Sequence, residues 1–484
     1  MNEQKSTSVN SKNLIYQLDG RPPLSAAIPI GLQHVFAMFI GNLAPILVLS
    51  GVVSTVTGQR IITDEQRILM IQCCMFASGV STIIQLYPVK VAGIQIGARL
   101  PIVMGTSFGF MPTLTSIGND YGINVVLGSI IVASIVEVLM GVFIKHIKKF
   151  FSPIVIGSVL MSIGLYLLPV GVTYFAGGTF AQNTFRRLAS GEVLPENLVA
   201  VAGRFGSWQN LLMGGVVFLV IVFIQRLGKG TLKASAILIG IIVGYILAII
   251  LNQVNFTPVA NASLFAFPVP FRIMPSFHLL PILSMSIMVV VSGIETMGHV
   301  NGMTMAVWDR PAANSETQGA LLADGLANIF SAIFGVLPNT SFGQNIGIVC
   351  ITKVVNRFCI FITAIVLILA GFSPKVGAIL SAMPDSVLGG AVITVFAMIM
   401  LNGIKMIAKA GFSERNVLIL ALTFGVGYAI GNNTLLVGRL PSVLRFIFSN
   451  PTVAVCVISM TLNFLFPLSA EDKANAAEAA KGGD

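Results

Sequence analysis

The chain has 484 residues, 55% of them hydrophobic and only 10% charged, with a formal net charge of +10 and a mean hydropathy of +0.90. A soluble domain carries about 25% charged residues, and a disordered chain cannot keep this much apolar side chain in water, so both classes are excluded. The composition predicts an all-α polytopic membrane protein, and its 5 Cys have neither the even count of a disulfide framework nor metal-ligand spacing.

Apolar runs near the ~20 residues that cross a bilayer number fourteen. In chain order they cover 25–50, 69–88, 101–118, 123–145, 152–173, 209–226 and 233–252, then 279–299, 319–336, 339–354, 357–373, 386–407, 416–431 and 451–467. The third and tenth are short and broken by Pro and Gly. An even number of spans puts both termini on one side. Lys145, Lys148, Lys149, Arg226, Lys229, Lys233, Lys353, Arg357, Lys405, Lys409 and Arg415 then fall in gaps on that same side. The positive-inside rule makes it the cytoplasm, with solvated tails at 1–24 and 468–484 in a cell (plasma or inner) membrane.

The two halves echo each other. Thr106-Ser107-Phe108-Gly109-Phe110 recurs as Thr340-Ser341-Phe342-Gly343-Gln344, and Pro153-x-Val155-x-Gly157 recurs as Pro384-x-x-Val387-x-Gly389. Both echoes link equivalent runs of a 7+7 division. Seven is odd, so the second copy enters the membrane from the opposite side, and the repeats are inverted. One interrupted helix in each inverted repeat points to a transporter's midplane site. Pro101 and Pro338 cannot donate helical hydrogen bonds, and non-helical backbone at membrane depth survives only where protein or a wet cavity satisfies it. Thr106/Ser107 and Thr340/Ser341 are suited to cap the half-helices that restart after each break, aiming positive dipole ends at the bilayer centre.

Ionisable groups inside such runs are costly and therefore candidates for function. Glu295 and His299 are four residues apart, which places a carboxylate and an imidazole on one helix face. Asp324 sits among small residues, Gln33-His34 lies early in the first run, and Glu137 lies in the fourth, where an interhelical polar contact is expected. The four His, at 34, 146, 278 and 299, make no metal spacing, and no catalytic constellation suggests an enzyme. No cofactor, metal or nucleic-acid partner is implied. Membrane carboxylates and imidazoles, without an evident cluster of carbonyl and hydroxyl ligands for sodium, favour proton coupling.

Gln344-Asn345-x-Gly347-x-x-x-x-Thr352-Lys353 resembles the signature of the nucleobase–ascorbate transporter family, also called nucleobase:cation symporter-2. Gln33-His34, Glu295 and Asp324 fit the same family, and the resemblance spans residues 25–467. It implies fourteen segments in two inverted sevens, with short antiparallel strands in segments 3 and 10. Segments 1–4 (25–145) and 8–11 (279–373) would form a core domain. Segments 5–7 (146–252) and 12–14 (374–467) would form a gate domain that commonly mediates a homodimer. The core would slide against the gate in an elevator driven by cation symport.

By the same resemblance Glu295 would accept hydrogen bonds from ring N–H groups of a nucleobase, and Gln344 would present its amide to the imide edge. Phe110 would stack near the ring, with Phe108 beside it, and the backbone at Gly343 would approach it closely. His299, Asp324 and His34 would support the site and proton coupling, while Asn345 and Thr352 would organise the broken helix. Gln at 344 resembles the xanthine and urate transporters rather than uracil carriers, which have Glu there. Gly109, where purine members often carry Asn or Thr, would enlarge the pocket. The expected substrate is therefore xanthine and/or uric acid, with uracil as the alternative. An inorganic anion carrier of the same broad fold is a further one, opposed by a carboxylate in the site.

Overall fold

A computed structural model describes residues 13–54, 57–91, 93–144 and 152–467. Lys145, Lys148 and Lys149, His146 and the C-terminal tail at 468–484 lie outside them. The first apolar run forms α1 (Leu24–Ser50). The second forms α2 (Asp64–Leu86), whose start is set by a capping box. Thr63 Oγ1 accepts from the Gln66 amide and Gln66 Oε1 accepts from that of Thr63, which satisfies donors that a helix start leaves unpaired. A hairpin of β1 (Val89–Val91) and β2 (Ile94–Ile96) follows.

The third run is not one helix. It holds β3 (Met104–Thr106), a 3-10 turn at Phe108–Phe110 and α3 (Met111–Tyr121). Then come α4 (Ile123–Val142), α5 (Pro153–Phe175), α6 (Trp208–Leu227), α7 (Ala236–Ile250), α8 (Leu279–Trp308) and α9 (Asn314–Ile333). The tenth run repeats the break, as β4 (Asn339–Ser341) followed by α10 (Gly343–Thr352). The remainder includes α11 (Arg357–Gly371), α12 (Pro374–Ser381), α13 (Asp385–Ala410) and α14 (Pro451–Leu465). Seven of the described helices are long and apolar enough to cross a membrane, or eight if α11 and α12, bent by 83° at their break, are one span. The other expected runs correspond to shorter or interrupted elements.

β3 and β4 pair antiparallel, with Gly105 opposite Thr340. Two strands of three residues cannot satisfy their own backbone, and at membrane depth water is not available to do so. Side chains supply the missing acceptors. Thr82 Oγ1 accepts from the Met104 amide at 2.9 Å, and Asn42 Oδ1 accepts from that of Thr106 at 2.7 Å. Asn328 Oδ1 accepts from the Asn339 amide at 2.5 Å. The expected capping role of Thr340 and Ser341 is corrected here. The strand runs through Ser341, and α10 starts at Gly343 behind Phe342, which offers no side-chain cap, because both hydroxyls are engaged elsewhere.

The most extensive helix packing falls within two groups. One joins α1, α2, α4, α8, α9 and α11, and the other joins α5, α6, α7, α13 and α14. In the second group α5 lies against α13 with backbones nearly touching. A Cβ on Gly403 would come within 2.4 Å of the Met161 amide nitrogen, and one on Gly157 within 2.9 Å of the Gly403 carbonyl. Small residues allow this close approach where dispersion drives helix association. The Pro153 and Pro384 echoes open these two helices.

Residues 13–20 are not a free tail. A 3-10 turn at Asn13–Tyr16 leads into a strap laid on the start of α11, where the buried Asn356 donates through Nδ2 to the carbonyls of Leu14, Gln17 and Gly20. Asp19 pairs with Arg99 at 3.1 Å and with Arg357.

Candidate functional site

A cavity of about 900 Å³ opens between the two helix groups. Its first wall is the strand crossing: Thr106 to Gly109 from one half of the chain, Thr340 to Gln344 from the other, and Glu295 and His299 from α8. The second wall comes from α5, α6 and α13. Residues 234 positions apart in sequence thus face one space, because β3 and β4 hold both breaks at the same depth.

Glu295 and His299 lie on one face of α8, as their spacing predicts. His299 Nε2 is 3.9 Å from Glu295 Oε1, and each side chain is about a quarter exposed, at 23% and 26%. The His299 ring is held from behind, its Nδ1 2.8 Å from Ser341 Oγ. A Cβ on Gly343 would lie 3.0 Å from His299 Nε2, so the glycine lets the ring sit against the start of α10. Gln344, the first exposed side chain of α10, projects into the cavity.

The aromatic wall differs from expectation. Phe108 lines the cavity, and its ring meets Phe396 of α13 edge-on at 5.0 Å. Phe110 is 1% exposed and packs in the hydrophobic core. Two steps round a 3-10 turn carry a side chain through about 240°, which turns Phe110 away from the space that Phe108 faces.

The remaining candidates lie behind the wall. Asp324 is fully buried. It accepts from Gln85 Nε2 at 2.9 Å and from the Thr296 hydroxyl. Thr296 Oγ1 is also 3.1 Å from the hydroxyls of both Thr340 and Ser341. Asn345 donates to the His34 carbonyl at 3.0 Å and lies 3.1 Å from its ring Nδ1, tying α10 to α1. Thr352 donates to the Ile348 carbonyl and accepts from the Val354 amide, closing the far end of α10. Glu137, buried in α4, accepts from Asn328 Nδ2 at 2.8 Å. That contact turns the Asn328 carbonyl towards the β4 amide it serves.

Sequence reasoning missed Asn42, Thr82, Gln85, Thr296 and Asn328. A lone polar residue in an apolar run was the available signal, but it does not say which backbone group the side chain will meet. It also missed the second wall, where Gln225, Arg226, Thr394 and Asn402 line the cavity.

Comparison with known proteins agrees with this geometry. A family model described as a permease family matches residues 25–434. The xanthine permease of Bacillus subtilis is 31% identical, over 92% of this chain and 95% of its own. The uric acid permease PucJ of the same organism is also 31% identical, over 91% and 92%. Among solved structures, the transmembrane domain of the cyanobacterial bicarbonate transporter BicA superposes with a TM-score of 0.55 at 15% identity, covering 91% of this chain and 97% of that one. At that identity the likeness concerns the fold. A transporter fold, two broken segments crossing at a cavity, and relatives matched over nine-tenths of their length lead to one assignment: the chain belongs to this permease family, the nucleobase–ascorbate transporters.

Proposed function

We propose that the protein imports an oxidised purine base, xanthine and/or uric acid, by proton symport. The observation that carries this reading is the convergence of Glu295, His299 and Gln344 on one cavity at the strand crossing. A carboxylate accepts from ring N–H groups, while an amide donates to a carbonyl and accepts from a neighbouring N–H. Together they complement the alternating donors and acceptors of an oxopurine edge. Phe108 offers a ring face for stacking, and Gly343 allows the base close to backbone.

All fourteen runs then belong to the membrane, as two inverted sevens, with both termini cytoplasmic. The first helix group is the core and the second the gate. The grouping of Asp19, Arg99 and Arg357 at one end supports that orientation, since basic gaps face the cytoplasm. The core carries the base past the gate in an elevator motion, and gate surfaces join two copies in a homodimer. Glu295 with His299, backed by Ser341, Thr296, Asp324 and Gln85, gives the coupling proton a set of groups to occupy, and His34 with Asn345 and Thr352 keeps α10 in place. An inorganic anion is a poor fit because it brings no ring N–H groups for the Glu295 carboxylate to accept from, and so nothing to offset their repulsion.

The test is uptake of labelled xanthine, urate and uracil in cells lacking their own carriers, with and without a protonophore, for the parent and Glu295→Gln. Purine uptake that a protonophore abolishes, and that Glu295→Gln loses while remaining in the membrane, is expected. Uptake that survives the protonophore and needs sodium overturns proton coupling. Uptake of uracil alone overturns the purine assignment.

A further inference from the structure

We propose that the gate wall of the cavity carries a second station for the base, in which Arg226 with Gln225 and Asn402 holds anionic oxopurines such as the urate monoanion. This rests on the purine-transport reading and extends it to a part of the cavity that the strand crossing does not reach.

The cavity of about 900 Å³ lies near the upper end of ligand pockets, which span roughly 300–1,000 Å³ for drug-sized molecules. A two-ring base is smaller than that and fills part of the space. The rest is bounded by two helical stripes. On α6, Phe218, Val222, Gln225 and Arg226 follow one another at helical spacing, and on α13 Thr394, Met398 and Asn402 do the same. Such a stripe keeps one helix face towards one neighbour. The α6 stripe is apolar at Phe218 and Val222 and turns polar at Gln225 and Arg226, while the α13 stripe begins and ends on the polar Thr394 and Asn402 with Met398 between them.

Charge is divided between the walls. Among the described lining residues the ionisable groups are Glu295 and His299 on the core side and Arg226 on the gate side. Arg226 forms no ion pair among the described residues, so its guanidinium is available to a ligand. A guanidinium presents parallel N–H donors in a fixed fork that fits a deprotonated amide edge, with its anionic nitrogen and adjacent carbonyl oxygen. Gln225 and Asn402 add donors and acceptors that do not depend on charge. A base leaving Glu295, which repels an anion, would therefore find a favourable place across the same cavity.

The measurement is initial uptake of labelled urate and xanthine by the parent, Arg226→Gln and Arg226→Lys, at a mildly acidic pH where urate is a monoanion and xanthine is neutral. Equilibrium binding of both bases to the purified proteins accompanies it. In Arg226→Gln the KM and Kd for urate should rise about fivefold or more while those for xanthine stay within about twofold, as loss of a charge-assisted contact implies. Arg226→Lys, which keeps the charge but not the fork, should restore part of the urate affinity. Equal changes for both bases, or none, overturn the station while leaving purine transport intact. They assign Arg226 to helix orientation at the membrane surface. A parent that takes xanthine but not urate also overturns the station, and a parent that takes neither overturns the transport reading itself.

Discussion

Gln85 and Asp324 meet at 2.9 Å, an amide donor on α2 facing a carboxylate on α9, and their helices arise from the second apolar run of each half of the chain. The other Asp324 oxygen accepts from the Thr296 hydroxyl, which is also within reach of Thr340 and Ser341 on β4. Ser341 in turn holds the His299 ring. One connected set of side chains therefore runs from the packed interior of the first helix group to an imidazole at the cavity. In a low-dielectric interior such a set fixes geometry strongly when it is complete, and each missing member is costly.

Thr296→Val tests that set with little change of volume. It leaves one Asp324 oxygen without its hydroxyl donor and frees the β4 hydroxyls to reorient. An unsatisfied buried group costs about 1–3 kcal/mol, more where charge is involved. Substrate affinity should fall by roughly tenfold or more, while the purified variant stays monodisperse. Unchanged uptake and binding would show that His299 needs no support from Asp324.

The fold was legible where backbone chemistry leaves a mark on composition. Pro101 and Pro338 with their Gly and Thr/Ser neighbours mark both departures from helix, and the repeated Thr-Ser-Phe-Gly marks the segments that pair. Glu295 and His299 were legible because a spacing of four is a statement about a helix face. Less was legible where three-dimensional partners decide the outcome. Thr340 and Ser341 look like helix caps locally, but Met104 and Gly105 draw them into a strand. Phe108 and Phe110 are equivalent as letters and are separated by the rotation of a single 3-10 turn. Arg226 reads as a topology signal, and its place on the cavity wall depends on α6 packing against α7 and α13.

The strap at residues 13–20 offers a contrast between kinds of contact. Asp19 pairs with two arginines, but its side chain is 53% exposed, and exposed pairs contribute about 0–1 kcal/mol. Asn356 is buried, holds three strap carbonyls, and caps α11 through Oδ1 by accepting from the Phe358 and Cys359 amides. Loss of such a cap alone costs about 0.5–2 kcal/mol. Asp19→Asn should leave thermal stability in detergent nearly unchanged, whereas Asn356→Ala should lower it and expose the N-terminal segment to limited proteolysis. The reverse order would mean that the ion pairs, not the buried amide, hold the strap.

Gly343→Ala should weaken base binding without unfolding the protein. The added Cβ would sit 3.0 Å from His299 Nε2, and the ring cannot yield freely because Ser341 holds its other nitrogen. Overpacking of this kind costs about 1–3 kcal/mol. Gly109→Ala is the control: its Cβ would lie 3.9 Å from Glu295 Oε2 and 3.2 Å from Ser107 Oγ, so the carboxylate is not displaced. Titration calorimetry with both variants should show the larger loss at Gly343. Equal losses would mean that the contact with His299 does not set affinity.

Gln344→Glu should move selectivity away from xanthine or urate and towards uracil. Gln344 is exposed to the cavity at the start of α10, where one amide can donate to a base carbonyl and accept from a ring N–H. An ionised Glu can only accept, so it meets a purine carbonyl with repulsion and leaves it unpaired. Urate should suffer most, because two carboxylates, at 295 and 344, would then face an anion. A protonated Glu regains a donor, so part of the loss should return as the pH falls. Competition of unlabelled xanthine, urate and uracil against labelled xanthine over a pH series distinguishes these effects. If Gln344→Glu keeps the parent's order of preference at every pH, residue 344 does not read the base, and the preference for purines must arise from other groups on the cavity walls.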